Sequence, residues 1–466
     1  MQIPILSGIY TDNAPDFRTS LPVNMVPVPK ATGISEGYLR PADGIVKIGS
    51  GPGENRGGIN WNGVLYRVMG GSLVSIAEGG DVSIIGSVGD GGRVSMAYSF
   101  DHLAIASGGN LFLYDGSRLK RVRDKDLGQV VSLVWVDGYF MTTDGEFLVV
   151  TELSNPFAVD PLKYGSSEAD PDPVKALLKL RNEVYALNRH TIEVFDNTGG
   201  TGFPFQRIPG AQMQKGTLGA HTHCVFGGGI AFIGGGRNEA ISVHAGVNGQ
   251  TQKIATREIE EILSGYGEAT LSGAFVQARL ESAHEFLEIH LPDQTLVFDG
   301  AASRAASRPV WFILRTSLEG SGRWAADDAV WAYDRWNVCR PGNADIGFLG
   351  KNTAAHWGER VGWEFGTAIT YNEGRGAIFH EIELVALTGR GAATGDSTVW
   401  TSYSNDGVSW SAERPASAGR VGEYNKRIVW MQQGHMRNWR AQKFRGTSDA
   451  AIAVARLEAR LEPLNF

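Results

Sequence analysis

The residues best placed for chemistry are two histidines and a cysteine that lie close together in the chain. His221, His223 and Cys224 are spaced so that, in a strand, the two imidazoles share one face and the thiol points to the other. A structural zinc site needs four ligands and a catalytic site three. The spacing therefore predicts no metal site. With Cys339 the chain has only 2 cysteines, too few for a disulfide-rich secreted scaffold.

A second candidate is an aspartate that recurs behind an aromatic residue. Asp115, Asp196 and Asp299 each follow Tyr or Phe, precede Gly or Asn, and lie at nearly the same offset from the start of an apolar hairpin. A carboxylate could be a ligand or a catalyst, but this local composition is typical of an Asx turn. A glycosidase needs two carboxylates about 5 to 9.5 Å apart across a cleft, and the sequence singles out no such pair. We therefore predict turns at these positions, and the residues alone leave an enzyme as an open but unsupported alternative.

The third candidate is the densest basic stretch. Its members are Arg118, Lys120, Arg121, Arg123 and Lys125. The last three would share one face of a strand and could contact phosphates. Asp124 and Asp126 interrupt the stretch, and the whole chain has 43 Lys+Arg against 50 Asp+Glu, a formal net charge of -7. A solvated strand is the simpler interpretation, and this balance does not indicate a dedicated duplex-DNA-binding protein.

The elements that would position these residues are short strands joined by tight turns. Gly accounts for 61 of the 466 residues, well above its usual share of about 7%. Apolar hairpins begin near Asn62, Asp101, Asp137, Asn182, Gly228, His284 and Asp328. These intervals are close to the roughly 40 to 50 residues of a four-stranded propeller blade. We predict an all-β fold, with a closed β-propeller of six or seven blades over residues 33–350.

Three other regions depart from this repeat. Residues 1–32 contain prolines that neither a helix nor a central strand would tolerate, so we expect an extended N-terminal arm. One helix is predicted at 257–263, where an apolar stripe follows acidic residues. Beyond residue 350 the hairpin period is lost, and 351–466 is predicted to be a C-terminal β-sandwich. No segment has the roughly 18 apolar residues needed to insert into a membrane.

Several motifs, taken together and in order, give the chain a resemblance. They are Leu-Pro-Val-Asn-Met at 21–25, Gly-Tyr-Leu-Arg-Pro at 37–41, Gly-Arg-Val-Ser-Met-Ala at 92–97 and Tyr-Asn-Lys-Arg-Ile-Val-Trp at 424–430. In this order and spacing they resemble the packaged DNA stabilisation proteins of short-tailed enterobacterial phages, which are tail hubs or nozzles. The likeness extends over nearly the whole chain, and the departures lie in loops.

The resemblance implies a structural virion protein with no enzymatic activity and no cofactor or metal. It would form a six-fold ring below the portal and the head-to-tail adaptor protein, retain the packaged DNA and form part of the ejection channel. Its other partners would be the tail needle or tip and the tailspike or fibre proteins. Phage DNA would pass through without sequence-specific binding, which suits a mildly acidic chain. Such a protein is located in the virion tail and is made and assembled in the cytoplasm of the bacterial host.

A ring built from one kind of subunit needs two different patches that meet. We expect these patches on the proline-containing arm, on the acidic segment 166–173 and on the segment 301–309, which is rich in Ala, Ser and Arg and which we predict to be an exposed loop. The candidate assembly contacts are Pro4, Pro15, Asp170, Pro171, Arg304 and Arg308. Two other functions remain open, a tail-associated propeller that binds or cleaves glycans and a carbohydrate-active enzyme of the host.

Overall fold

The computed structural model describes residues 1–6, 8–11, 17–30, 35–153, 155–390 and 397–464. Within them, strands make up most of the regular structure and form a propeller of seven blades followed by a sandwich of two sheets. No helix in these ranges is long and apolar enough to cross a membrane.

The first four blades each consist of four antiparallel strands in chain order. Blade 1 consists of Asn55–Trp61, Val64–Met69, Ser72–Ile76 and Val82–Ser87. Blade 2 consists of Ser95–Tyr98, Leu103–Ser107, Asn110–Tyr114 and Leu119–Arg121. Blade 3 consists of Ser132–Val136, Tyr139–Thr143, Phe147–Glu152 and Asn155–Ser166. Blade 4 consists of Val174–Leu180, Glu183–Asn188, Ile192–Asn197 and Phe205–Arg207.

The last three blades vary this plan. Blade 5 has a divided inner strand and consists of Gly216–Thr217, His223–Phe226, Gly229–Gly235, Ser242–Val247 and Gln250–Lys253. Blade 6 consists of Phe275–Glu281, His284–His290, Thr295–Asp299 and Trp311–Leu314. Blade 7 consists of Asp327–Ala332, Arg335–Cys339, Asp345–Gly350 and, from the start of the chain, Gly44–Ser50.

The propeller is closed by this borrowed strand. Gly44–Ser50 pairs antiparallel with Asp345–Gly350, so the outermost strand of blade 7 precedes blade 1 in the chain. The inner strands of neighbouring blades contact one another around the whole ring, including blade 7 with blade 1. Radial closure leaves only short sheet edges, at the centre and at the rim of the propeller. The prediction of a propeller is confirmed, and the described blades number seven.

Tight turns explain why the sequence repeat is visible. Asn62 and Gly63, with φ of 54° and 80°, join the first two strands of blade 1, and Asp137 with Gly138 does the same in blade 3. Positive φ at both central residues matches the twist of paired strands. Five of the seven predicted hairpin starts lie in this turn and His284 directly follows it, but Asp328 lies inside the first strand of blade 7, where the register shifts at a bulge.

The sandwich is assembled from both ends of the chain. Its first sheet has the order Met25–Pro29, Gly37–Pro41, Ala453–Pro463, Ala377–Leu387 and Ile428–Met431, with Gln2–Ile3 on Ala453–Pro463 and His435–Met436 on Ala377–Leu387. Its second sheet has the order Gly362–Gly366, Trp439–Thr447, Ser397–Ser404 and Arg414–Gly419, with Thr370–Tyr371 on Trp439–Thr447. Phe365, Phe379 and Phe444 are buried in the core that these sheets share.

The N-terminal segment is held by this sandwich. The side chains of Ile3 and Ile5 are buried in the sandwich core, and the Met1 ammonium donates a hydrogen bond to the Ala459 carbonyl at 2.8 Å. A hairpin of Gly8–Thr11 and Phe17–Ser20 follows. It contacts the propeller, because the Thr19 N–H donates to the Glu258 carboxylate at 3.1 Å.

Three short α-helices and one 3₁₀ turn, Ser448–Ala450, complete the described structure. Arg257–Ser264 confirms the predicted helix and buries Ile259 and Leu263. Glu268–Ser272 and Gly300–Ala306 were not predicted from the sequence. The prediction of a loop at 301–309 is therefore wrong over most of its length. Its Ala-rich sequence favours helix, and the Asp299 carboxylate caps the helix by accepting the Ala302 N–H at 3.0 Å.

Candidate assembly interface and central cavity

The inner strands of blades 1 to 6 surround a cavity of about 500 Å³. His221 and His223 of blade 5 line it. Burial lowers the pKa of His221 to about 3 and that of His223 to about 4, so both imidazoles are neutral at pH 7. Burial also raises the pKa of the Cys224 thiol. Among the residues with described positions, no group of three or more His, Cys, Asp or Glu side chains could hold a metal ion.

A buried ion pair lies beside this cavity. Arg93 Nη2 is 2.5 Å from Asp327 Oδ2, and Arg323 approaches the same carboxylate at 3.4 Å. Burial would raise the pKa of Asp327, but Arg93 and its neighbouring cationic groups outweigh burial and lower it. His290 stacks on Trp324 with ring centroids 6.1 Å apart. Asp327 is therefore ionised, and Arg93 and Arg323 balance its charge. The pair of Arg93 and Asp327 links the connection between blades 1 and 2 to blade 7.

A second network ties the propeller to the sandwich. Arg279 donates to the fully buried Glu288 at 2.9 Å and also contacts Glu281. Glu281 in turn accepts from Arg40 Nη2 at 2.7 Å, and Arg40 lies on the sandwich strand Gly37–Pro41. Burial opposes ionisation of Glu281, yet Arg279 and Arg40 lower its pKa below the usual value. Each carboxylate in this network has a cationic partner, so the network fixes two domains relative to each other.

The recurring aspartates have structural roles. The Asp115 carboxylate accepts the N–H groups of Ser117 and Arg118 at 2.9 and 2.7 Å, and these bonds lower its pKa to about 2. Asp196 is exposed and accepts the N–H of the next residue. Asp299 is buried, caps the helix Gly300–Ala306 and lies 2.5 Å from His284 Nδ1. The predicted Asx turn is confirmed at Asp115, whereas Asp299 is a helix cap.

The candidate assembly contacts lie in different places. Pro4 is exposed, and its carbonyl accepts the Ala368 N–H of the sandwich at 3.2 Å. Pro15 lies outside the described residues. Asp170 pairs with Arg237 at 2.9 Å, and Arg237 also donates to the Pro171 carbonyl at 3.2 Å. The acidic segment is thus held against blade 5 of its own chain.

The two arginines of the candidate set do come together. Arg304 and Arg308 are both exposed and line a groove of about 620 Å³ between blades 5 and 6. Arg304 Nη2 is 2.8 Å from the Glu285 carboxylate. The groove floor includes Phe226 and Phe298, whose ring centroids are 6.0 Å apart. A groove with an aromatic floor and a rim of partnered charged side chains can accept an amphipathic segment of another molecule.

Sequence reasoning missed a buried arginine at the closure of the propeller. Arg67 of blade 1 is fully buried and reaches blade 7, where it contacts Asp328 Oδ2 at 2.7 Å and the carbonyls of Asp328 and Asn337 at 2.9 and 2.8 Å. Asn55 also donates to the Asp328 carboxylate, at 3.0 Å. These bonds hold the bulge at Asp328. The available signal was a single charge within the apolar run Val64–Met69.

Comparison with known proteins follows this architecture. A family model described as Bacteriophage P22 Gp10, beta-propeller, matches residues 1–354, and one described as Bacteriophage P22 Gp10, beta-sandwich, matches residues 362–462. The tail hub protein gp10 of Salmonella phage P22 is 28% identical over 486 residues, which covers 99% of this chain and 99% of that protein.

Solved structures are more distant. The WD40 domain of Neurospora crassa Pan2 has a TM-score of 0.42 and 8% identity, covering 66% of this chain and 96% of that one. PorZ of Porphyromonas gingivalis has a TM-score of 0.40 and 12% identity, covering 80% of this chain and 46% of that one. At these scores neither structure bears on the function of the chain. The two Gp10 domain matches, in the observed order, do not favour a glycan-directed propeller. The chain belongs to the bacteriophage P22 Gp10 family and is a structural tail hub protein of a phage.

Proposed function

We propose that six copies of this chain form a ring in the phage tail, below the portal and the head-to-tail adaptor, that retains packaged DNA and forms part of the ejection channel. The observation that supports this most is the likeness to P22 tail hub protein gp10, which extends over 99% of both chains. A ring of identical copies needs a heterologous interface, in which two different patches meet and the rotation closes.

The proposed role is non-enzymatic and needs no cofactor. Two buried ion pairs of the propeller, Arg93 with Asp327 and Arg279 with Glu288, are suited to rigidity rather than proton transfer. The formal net charge of -7 favours weak contact with passing DNA, because few counterions would be released. The tail needle or tip and the tailspike or fibre proteins are the further partners, within virions assembled in the host cytoplasm.

For the contacts themselves, we propose the groove of Arg304 and Arg308 and the surface at the half-buried Asp170 and the exposed Pro171. Reversing both groove charges, Arg304→Glu with Arg308→Glu, should reduce incorporation into particles while the purified chain keeps its β-sheet circular dichroism. Arg375→Glu, also exposed but on the sandwich, is the matched control. If the double variant is incorporated as well as the unaltered chain and the Arg375→Glu control, the groove is excluded as an assembly contact.

The proposal as a whole is tested with particles made without this chain. They should package DNA and then lose it, and supplying the full-length chain should restore filled particles. Electron microscopy of the restored particles should show six-fold density on the tail axis next to the adaptor. Particles that keep their DNA without the chain, or density for it away from the axis, would contradict the proposed role.

A further inference from the structure

The outer edge of a propeller blade is an unpaired strand that could pair with another chain. In this molecule four of the seven outer strands carry charge or proline. These are Leu119–Arg121 with Lys120, Asn155–Ser166 with Pro156 and Pro161, Phe205–Arg207 with Arg207 itself, and Gln250–Lys253 with Lys253 itself. Such residues block strand addition, so these four edges are protected.

Two more edges are covered by segments of the same chain. On blade 6, the Ile313 N–H donates to the Pro22 carbonyl at 2.8 Å and the Ile313 carbonyl accepts the Asn24 N–H at 2.8 Å. On blade 7, the Ile45 N–H donates to the Ala355 carbonyl at 2.9 Å, and the Ile45 carbonyl accepts the Trp357 N–H at 2.9 Å. The chain thus already uses extended segments to complete the outer edges of its blades.

The outer strand of blade 1, Val82–Ser87, has neither protection. Its sequence Val-Ser-Ile-Ile-Gly-Ser contains no charged residue and no proline. Ile84 is 66% exposed, one of the most exposed large apolar side chains in the described structure. A register shift between Ile84 and Gly86 interrupts the strand, so the part of this edge that is open to regular pairing is the segment up to Ile84.

The backbone of this strand also faces outward in the required way. The Asp81 carbonyl accepts the Ala77 N–H and the Val88 N–H donates to the Gly71 carbonyl, both at 2.9 Å. In an antiparallel pair, residues whose N–H and carbonyl groups bond to the neighbouring strand alternate with residues whose groups point away from it. The two bonds above show which residues of this strand point inward. Ile84, opposite Val74, then directs its N–H and carbonyl away from the blade. Within the described ranges, neither group is hydrogen-bonded to another segment.

A cluster of cations lies next to this edge. The Leu119 side chain on the outer strand of blade 2 packs against the backbone of Gly86. Around Leu119 the exposed basic residues are Arg118, Lys120, Arg121, Arg123 and Lys125. None of them forms an ion pair with a described carboxylate at 4.0 Å or less. The basic stretch identified in the sequence, although Asp124 and Asp126 interrupt it, is therefore a rim of exposed cations without close ion pairs in the described structure, beside this edge.

We infer that Val82–Ser87 pairs, through the outward backbone groups of Ile84, with an extended segment of a second copy of this chain, which adds a further strand to blade 1, and that the basic rim contacts carboxylates of that copy. The inference rests on the proposed ring. A second copy has a net charge of -7, which complements the rim. DNA fits less well, because outward carbonyls repel phosphate and Ile84 would have no apolar partner.

The first test compares three substitutions at one position in full-length chains. Ile84→Pro removes the outward N–H, and Ile84→Lys adds an edge charge while keeping that N–H. Ile84→Thr keeps the N–H and favours strands, so it is the matched control. We expect incorporation into particles to decrease at least tenfold for Pro and Lys and to stay within about twofold for Thr. If Ile84→Pro fails to fold, Ile84→Lys decides. Normal incorporation of both overturns the inference.

The second test identifies the occupant. A photo-crosslinking amino acid at Ser83, which is exposed, is activated in assembled particles. We expect a band at twice the chain mass whose crosslinked peptides both come from this chain. Crosslinks to DNA or only to another virion protein would overturn the inference, as would none at all. If particles carry six-fold rings but lack this crosslink, the inference fails while the proposed function stands. If no ring forms with the unaltered chain, the proposed function itself fails.

Discussion

Replacing Arg67 with methionine should weaken the closure of the propeller more than any surface change. The substitution keeps the length of the aliphatic stem but removes the cation that Asp328 contacts at 2.7 Å. It also removes the donors to the carbonyls of Asp328 and Asn337. The carboxylate then remains in a mostly buried site with only Asn55 as a side-chain donor. The loss is therefore an unpaired buried charge and one hydrogen-bond donor to each of two carbonyls.

The size of the effect follows from these contacts. Breaking a buried ion pair by removing one partner costs about 3–5 kcal/mol. A domain of roughly 300 residues has an unfolding entropy near 0.6 kcal/mol per kelvin, since each residue contributes about 2.1 cal/mol/K. The melting temperature of the propeller should then fall by about 5–8 °C. Arg121→Met, at an exposed arginine of blade 2, should change it by less than about 1 °C.

The assay is differential scanning calorimetry of the full-length chain, with circular dichroism to confirm that each variant is folded at 20 °C. Adding Asp328→Asn to Arg67→Met should recover part of the loss, because the unpaired charge is then gone, and a double-mutant cycle gives the coupling between the two side chains. An Arg67→Met chain that melts within 1 °C of the unaltered chain would refute the assignment of Arg67 as the closing contact between blades 7 and 1.

Three further predictions concern stability. Burial lowers the folded-state pKa of His244, His290 and His356 to about 4, whereas the unfolded value is about 6.5. The free energy of unfolding, measured in urea, should therefore be greatest above pH 6.5 and decrease as the pH falls towards 4. Deleting residues 1–6 removes Ile3 and Ile5 from the sandwich core, and fluorescence-monitored urea unfolding should show a loss of about 2–5 kcal/mol for each isoleucine; an unchanged midpoint would mean that the segment is not docked. Asp299→Ala removes a helix cap and should cost about 1 kcal/mol or more in the same assay, whereas Asp196→Ala, at the equivalent but exposed position, should cost less than about 0.5 kcal/mol.

The propeller could be predicted from the sequence because its signal is local. Turns such as Asn62–Gly63 need positive φ, and this requirement appears directly as residue type and spacing. The docking of Ile3 depends instead on pairing with Leu457, more than 450 positions away. No local pattern encodes that pairing, so the proline-rich N-terminal segment could only be interpreted as an arm.

The candidate contacts were harder to predict for a related reason. Arg304 was placed correctly on the surface, but its helix depends on Asp299, which resembles Asp115 and Asp196 in sequence and differs from them by burial. Composition cannot distinguish a solvated turn from a buried cap. The edge Val82–Ser87 could be identified only by comparison with the other six outer strands. What distinguishes it is the absence of charged residues, of proline and, among the described residues, of a covering segment.

Strands within residues 2–50 pair with strands that are translated much later, and this affects how the chain folds during synthesis. Gly44–Ser50 leaves the ribosome early but cannot pair until Asp345–Gly350 has been translated, and Gln2–Ile3 must wait for Ala453–Pro463. Contacts this distant in sequence form slowly and expose unpaired strands meanwhile. A nascent chain interrupted before its last twenty residues could close its propeller but would lack the central strand of the first sandwich sheet. Chains that lack Ala453–Pro463 would therefore be unable to complete the first sandwich sheet.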